Sequence, residues 1–107
     1  MRQLVSPPVV VLVLLAGSAF NDAVAGDREL GQYLSSECVT CHRTSGQPMQ
    51  GIPQIAGWPE DQFVAVMAAY KDKQRDNPVM QTIAGRLSEA DIAALATFFA
   101  GLSPATK

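Results

Sequence analysis

Two cysteines and a histidine fall within five consecutive positions, in the segment CVTCH. Cys38 and Cys41 are the only cysteines of the chain, and His42 is its only histidine. Thiolates and imidazoles are strong metal ligands, and paired cysteines also exchange electrons through a disulfide. The segment therefore indicates a thiol–disulfide pair, a zinc site or a site for a covalently attached haem.

The sequence disfavours the first two of these chemistries. A thioredoxin-like C-x-x-C pair is carried by βαβ units, and no part of the chain shows the period-two alternation typical of such strands. Structural zinc usually takes four ligands from two separated pairs, but neither Cys nor His follows His42. A thiol–disulfide module therefore stays open only as an alternative.

Covalent haem attachment explains the spacing of the motif. Cys38 and Cys41 lie about one helical turn apart, so each thiol can reach one vinyl group on the same edge of a porphyrin. His42 is next in the chain and can approach the iron from one face. We therefore predict one haem c, bound through two thioethers and through the imidazole of His42.

The second axial position of the iron needs a different residue, and the neutral candidates are Met49, Met67 and Met80. Met49 follows His42 too closely to reach the opposite face of the ring. Met67 lies on an apolar helical stripe and is typical of a core residue. Met80 is separated from His42 by enough chain to pass around the haem edge, and we expect it in a non-helical stretch. Met80 is therefore the predicted distal ligand.

The elements that position these residues have a helical pattern throughout, so the predicted fold class is all-α. We predict a first helix from Arg28 to about Glu37, capped by Asp27, and a second from about Glu60 to Lys73. A last helix is expected from Glu89 to Ala100, opened by the capping box that begins at Ser88. The loop over residues 46–59 is rich in Gly and Pro, and its length is typical of a functional loop.

The first 25 residues are predicted to be a signal peptide. Their apolar run, residues 9–16, is shorter than the roughly 20 residues of a membrane-spanning helix. Ala23-Val24-Ala25 then fits cleavage before Gly26. Residues 26–107 are predicted to form one periplasmic domain without a membrane span. Export agrees with covalent haem attachment, because haem is attached to C-x-x-C-H motifs outside the bacterial cytoplasm. The net charge of −2 supplies no basic patch, which argues against a nucleic-acid partner.

Three segments of the chain resemble class I c-type cytochromes: CVTCH, IPQIAG and NPVMQTIAGRLSEADIAALATFFAGL. The resemblance covers residues 26–107. It is nearest to the haem subunits that pair with flavoprotein sulfide dehydrogenases and to the halves of periplasmic di-haem cytochromes. It implies a small cytochrome c fold, with three to four helices around one covalently attached haem.

The resemblance also implies roles for single residues. Cys38 and Cys41 match the thioether cysteines, and His42 matches the proximal ligand. Met80 matches the distal ligand, eight residues before Ser88. Pro53 matches the proline whose carbonyl oxygen accepts a hydrogen bond from the proximal histidine.

Two further implications concern packing and the haem propionates. The family packs a glycine and an aromatic residue of its first helix against an aromatic residue of its last helix. Gly31 and Tyr33 stand near the first two positions, and Phe98 or Phe99 is the expected partner. Four other side chains are candidates for the propionates, and a surface or packing role is an equally good interpretation of each: Trp58, Tyr70, Arg75 and Asn77.

The predicted function is electron transfer rather than catalysis on a substrate. The chain is expected to act as a free carrier or as the electron-accepting subunit of an oxidoreductase. Its expected partners are redox proteins, such as a flavoprotein dehydrogenase or a terminal oxidase. Gas or peroxide binding at the haem stays open as an alternative, and it would require Met80 to be absent from the iron or labile.

Overall fold

The computed structural model describes residues 2–11 and 26–104 and contains five helices and no strand in those ranges. The all-α prediction is therefore confirmed. Within the same ranges, no helix is both long and apolar enough to cross a membrane. The predicted cleavage site before Gly26 and most of the predicted signal peptide lie outside the described residues. The helices are α1 (Arg28–Leu34), α2 (Ser36–Val39), α3 (Glu60–Lys71), α4 (Pro78–Gly85) and α5 (Glu89–Ala100).

Side-chain caps fix the starts of α1 and α5. Asp27 accepts hydrogen bonds from the backbone N–H groups of Glu29 and Leu30, at 3.0 and 3.2 Å. Ser88 accepts from the N–H of Asp91 at 3.1 Å, and the Asp91 carboxylate accepts from the N–H of Ser88 at 3.0 Å. Both predicted caps are confirmed, and Asp serves in this capping box where Glu or Gln is more usual.

The first predicted helix is divided at Ser35, between α1 and α2. The Ser35 hydroxyl donates to the carbonyl oxygen of Gln32 at 2.6 Å, and this kind of bond to the preceding turn competes with regular helix geometry. The backbone stays helical at this residue (φ −64°, ψ −18°). The chain therefore reaches Cys38 through a second short helix, which the sequence pattern did not separate from the first.

α1 and α5 cross with their backbones in contact. A Cβ atom at Gly31 would overlap the carbonyl oxygen of Ala94 and would lie 2.8 Å from the Cβ of Phe98. The expected crossing at Gly31 is therefore confirmed, with Phe98 as the partner. The expected role of Tyr33 is wrong, because this side chain is 79% exposed. Two residues rotate a helix by about 200°, so Tyr33 lies on the face opposite Gly31.

The core lies between α3 and α5. Phe99 and Leu95 are fully buried, and Phe63 and Met67 of α3 are nearly so. The rings of Phe63 and Phe99 stack with centroids 5.7 Å apart. The interpretation of Met67 as a core residue is therefore confirmed.

The long loop before α3 is joined to α5 by a backbone hydrogen bond. The N–H of Gly57 donates to the carbonyl oxygen of Phe99 at 2.8 Å. Gly57 has φ +79°, and a Cβ atom there would lie 2.9 Å from Cγ of Pro104. Glycine is needed at this point both for its conformation and for the close approach.

α3 ends two residues earlier than predicted, at Lys71. Lys73 follows with φ 59°, and the N–H of Gln74 donates to the carbonyl oxygen of Ala69 at 2.8 Å. This six-to-one bond is the Schellman ending of a helix, with Lys at the position that usually holds Gly.

α4 was not predicted, and the expectation of a non-helical stretch around Met80 is wrong. Asn77 caps this helix by accepting from the N–H of Met80 at 3.0 Å, and Pro78 occupies its first turn. An Asn-Pro pair ends one helix and can also begin the next, because a helix leaves its first N–H groups unpaired. Here the pair begins α4.

Candidate functional site

One cavity of about 490 Å³ brings together the four residues predicted to hold a haem. Cys38, Cys41 and His42 line it from the end of α2 and the turn after it, and Met80 lines it from α4. This volume lies in the range of 300–1,000 Å³ that is typical of small-molecule and cofactor sites. A cavity with two free thiols, an imidazole and a thioether among its lining fits a covalently attached haem.

The turn that contains the cysteines is helical in geometry. The carbonyl oxygen of Cys38 accepts from the N–H of His42 at 2.8 Å and from that of Cys41 at 3.2 Å. Both thiols therefore stand about one turn apart at the cavity, as the spacing predicted. Cys38 is partly buried and Cys41 is exposed.

The side chain of His42 is oriented by the loop that precedes α3. Nδ1 lies 2.7 Å from the carbonyl oxygen of Pro53. A carbonyl oxygen only accepts hydrogen bonds, so Nδ1 carries the proton and donates it. The expected hydrogen bond is thus present, and it leaves the lone pair of Nε2 available to a metal.

The environment of Cys38 does not suit thiol–disulfide chemistry. Burial, with a smaller contribution from the negative charge of Glu37, raises the pKa of the Cys38 thiol to about 11. Thiol oxidoreductases need the opposite shift, because the thiolate is the nucleophile.

A zinc site receives no support from the geometry either. In residues 2–11 and 26–104, no group of three or more His, Cys, Asp or Glu side chains is placed to hold a metal ion. Structural zinc requires four such ligands.

The three candidate methionines occupy different places. Met49 lies outside the cavity lining and is 38% exposed. Met67 and Met80 both line the cavity, Met67 as a buried residue of α3 and Met80 as a partly buried residue of α4. The choice of distal ligand is therefore between these two thioethers.

The four side chains named for the haem propionates all line the same cavity. Arg75 donates from Nε to the hydroxyl of Tyr70 at 3.0 Å, and Asn77 is the cap of α4. Trp58 lies at the end of the loop before α3. The structure thus brings all four to the site, on two helices and the segments beside them.

Several apolar residues of the cavity wall were not predicted to belong to the site. On α3 the signal was present, because Phe63, Val66, Met67 and Tyr70 recur at three- and four-residue steps. Apart from Tyr70, a candidate for the propionates, that stripe was interpreted as packing, whereas it forms both core and cavity wall. The other unassigned apolar lining residues are Ile52, Ile55, Val79 and Ile83.

Comparison with known proteins identifies the family. The family model described as Cytochrome c matches residues 29–103. The thiosulfate dehydrogenase electron acceptor of Thiomonas intermedia (strain K12) is 34% identical over 109 aligned residues, covering 100% of this chain and 50% of that protein. Cytochrome c4 of Pseudomonas aeruginosa is 32% identical over 86% of this chain and 46% of its own length. Cytochrome c-554(548) of Halomonas halodenitrificans is 34% identical over 70% of this chain and 95% of its own length.

This chain spans about half the length of the first two of these relatives and nearly all of the third. Their names agree with the CVTCH motif, the all-α fold and the cavity that the motif lines. The chain belongs to the cytochrome c family and is a class I c-type cytochrome.

Proposed function

We propose that residues 26–107 form a periplasmic electron carrier with one haem c, released from a signal peptide of residues 1–25. Cys38 and Cys41 form the thioethers, His42 is the proximal ligand of the iron and Met80 is the distal ligand. The observation that carries the proposal is the single cavity lined by these four side chains, with Nδ1 of His42 already 2.7 Å from the Pro53 carbonyl oxygen.

Each residue has a stated task in this proposal. Pro53 holds the imidazole of His42 in one tautomer and one orientation, and this contact also makes Nε2 a better donor to a metal. A methionine opposite a histidine raises the reduction potential and closes the iron to small ligands. The bound haem supplies one-electron exchange between ferric and ferrous iron.

The apolar cavity wall also limits the access of water to the proposed haem. Ile55, Phe63 and Met67 are buried and line the cavity. An apolar, poorly hydrated surrounding favours the less charged ferrous state, so these side chains raise the potential further.

The partner that the comparisons favour is a dehydrogenase acting on an inorganic sulfur compound. The Thiomonas relative is named as the electron acceptor of thiosulfate dehydrogenase. We propose that this chain accepts electrons from an enzyme of that kind, or from a flavoprotein sulfide dehydrogenase, and passes them to an acceptor such as a terminal oxidase. Stopped-flow mixing with a candidate reduced dehydrogenase tests this step, and no reduction by either class would exclude both.

Substitution of Met80 tests the ligand set. Met80→Ala in the haem-loaded protein should abolish the methionine–iron charge-transfer band of the ferric spectrum and lower the reduction potential. Met67→Leu is the matched control, because it replaces the other thioether of the cavity with a side chain of similar volume. The control should keep the band.

Three outcomes would overturn parts of this proposal. Loss of the band in Met67→Leu and its survival in Met80→Ala would exchange the roles of the two methionines. A high-spin spectrum of the unmodified protein would instead favour gas or peroxide binding. An exported chain whose mass equals that of the bare polypeptide, made in cells competent for cytochrome maturation, would remove the haem altogether. The same mass measurement shows whether the mature chain begins at Gly26.

A further inference from the structure

A second groove lies where α1 and α2 meet the turn between α4 and α5, and its volume is about 340 Å³. Leu34 and Leu87 line it, and because both are partly buried and pack against the core, they give the groove an apolar floor. Tyr33 also lines the groove and is 79% exposed. An aromatic side chain that the core does not bury is available to a partner.

The charged side chains around the groove favour a cation. Glu37 and Asp91 line it as acids, and Arg86 lines it as a base. Glu29 lies four residues before Tyr33 on α1, which places it beside Tyr33 on the same helix face. Three carboxylates and one guanidinium therefore surround the Tyr33 ring.

Two other cations of this region do not line the groove. The guanidinium of Arg28 lies beside Gly101, where its central carbon would be 3.4 Å from an added Cβ atom, at the far end of α5. Lys71 uses its ammonium group to donate to the carbonyl oxygen of Leu87. The groove therefore keeps its excess of negative charge.

The groove adjoins the cysteine end of the proposed haem site. Glu37 lines both the groove and the haem cavity, and the next residue in the chain is Cys38. A partner seated in the groove would contact the residue that precedes a proposed thioether. It would therefore approach the haem from the thioether edge.

We propose, on the basis of the proposed haem site, that this groove is a docking surface for a redox protein that presents a basic face. A Lys or Arg side chain of that partner would lie over the Tyr33 ring, where Glu37 and Asp91 attract its charge. Its methylene groups would cover the apolar floor formed by Leu34 and Leu87.

The first test is a titration of the reduced, haem-loaded protein with hexalysine, followed by NMR shifts of the backbone amides. At low ionic strength the shifts should fall mainly in residues 33–37 and 86–91, and added salt should abolish them. Tyr33→Ala and Glu37→Gln should each weaken binding roughly 2- to 5-fold. Arg86→Gln removes the opposing charge and should strengthen binding.

Glu60→Gln and Val64→Ala are the matched controls. Glu60 is an exposed glutamate and Val64 is a 39% exposed apolar residue, and neither lines the groove or the haem cavity. Both substitutions should leave the affinity for hexalysine unchanged. The charge-transfer band of the same samples, recorded in the ferric state, shows separately whether the proposed axial ligands are in place.

The second test measures whether electrons enter beside the groove. Hexaammineruthenium(II) is a dication that gives one electron to the ferric haem and becomes the trication. Its stopped-flow reduction of the protein should be roughly 2-fold slower in Glu37→Gln than in Glu60→Gln. Saturating hexalysine should slow the same reaction in the unmodified protein.

Three results would overturn the inference. One is a set of hexalysine shifts centred away from the groove. Another is an equal effect of Glu37→Gln and Glu60→Gln in both tests, which would mean that only the net charge of the protein matters. The third is a dimer of the unmodified protein in sedimentation that Tyr33→Ala dissociates, which would assign the groove to a second copy of this chain.

Discussion

The α1–α5 crossing and the α3–α4 pair differ in their packing, because the first is closed by backbone contact and the second faces a cavity. At the crossing, Gly31 brings the backbone of α1 against that of α5, and little space is left for any other group. Across the α3–α4 pair, Met67 and Met80 face one cavity of about 490 Å³. One half of the molecule is thus closed by the polypeptide alone, whereas the other is arranged around space for a ligand.

The difference extends to how each helix is held. On α5, five residues are buried, while on α4 only Ala84 is buried and Val79 is 67% exposed. Beyond the apolar contacts of Ala84 with the core, polar contacts hold α4. Gln81 donates to the Arg75 carbonyl oxygen, and Lys71 donates to the carbonyl oxygen of Leu87 just beyond the helix. The polypeptide alone therefore buries less of the helix with the proposed distal ligand, because Val79, Met80 and Ile83 line the cavity.

The largest effect should come from filling the crossing. Gly31→Ala places a Cβ atom against the Ala94 carbonyl group, and a backbone atom cannot yield as a flexible side chain does. We expect a loss of about 3 kcal/mol or more in the free energy of unfolding. In a domain of this size that lowers Tm by roughly 12–24 °C, which thermal denaturation of the haem-loaded protein would measure.

Gly85→Ala is the control for that substitution. Gly85 is also helical, but a Cβ atom there would have nothing within 4 Å. The control should be neutral or stabilising by about 0.5–1 kcal/mol, because alanine restricts the unfolded chain. Equal losses of Tm in the two variants would contradict the description of a tightly packed α1–α5 crossing and an α3–α4 pair that encloses a cavity.

An intermediate effect should come from loosening α4. Gln81→Ala removes the side-chain bond to the Arg75 carbonyl oxygen, which contributes about 0.5–1.5 kcal/mol. If Met80 must leave the iron before cyanide can bind, the binding rate should rise by roughly 2- to 10-fold. Stopped-flow absorbance with the ferric protein measures this rate.

Gln62→Ala provides the comparison for Gln81→Ala. Gln62 is an exposed glutamine of α3 outside the cavity lining, so its truncation should leave the cyanide rate unchanged. A rate in Gln81→Ala that matches the unmodified protein would mean that the bond from Gln81 to the Arg75 carbonyl oxygen does not hold α4 in place.

The smallest effect should come from the turn between α3 and α4. Lys73 is the only non-glycine residue with positive φ among the described residues. This conformation costs an L-residue about 1–2 kcal/mol, which glycine avoids. Glycine also makes the unfolded chain more flexible, and this entropy offsets part of the stabilisation. Lys73→Gly should therefore stabilise the protein by about 0.5 kcal/mol.

Chemical denaturation measures the change in the free energy of unfolding on Lys73→Gly. Asp72→Gly is the control, for which we expect a change of the opposite sign. Asp72 has φ −83°, so glycine there relieves nothing and should destabilise by about 0.5–1 kcal/mol. A stabilising Asp72→Gly would show that loss of a surface charge, and not backbone strain, governs this turn.

Local signals in the sequence predicted most of the fold. Ser88 and Asp91 form the predicted capping box, and α5 has the predicted bounds. α4 was missed because it has eight residues, too few for a clear periodicity, and because an Asn-Pro pair can end one helix as well as begin the next. Tyr33 was misplaced because it was grouped with Gly31, whereas two residues along a helix place side chains on opposite faces.

The candidate site was predictable where its residues are close in sequence. Cys38, Cys41 and His42 follow from one motif, and Pro53 follows from the family resemblance. The fixed guanidinium of Arg75 could not be predicted from the sequence, since its bond to Tyr70 depends on how the chain turns after α3. Contacts set by a turn conformation leave little trace in composition or spacing.

The hydrogen bond from Gly57 to Phe99 restricts movement on one side of the proposed haem site. It ties the loop that holds Pro53 to the rigid α5, so the orientation of His42 is braced by the closed half of the molecule. α4 is instead joined to its surroundings by the side-chain hydrogen bonds of Lys71 and Gln81. If Met80 is the distal ligand, as proposed, structural reorganisation on oxidation and reduction should be borne mainly by α4. A docking partner that presses on α4 would then alter the driving force of electron transfer.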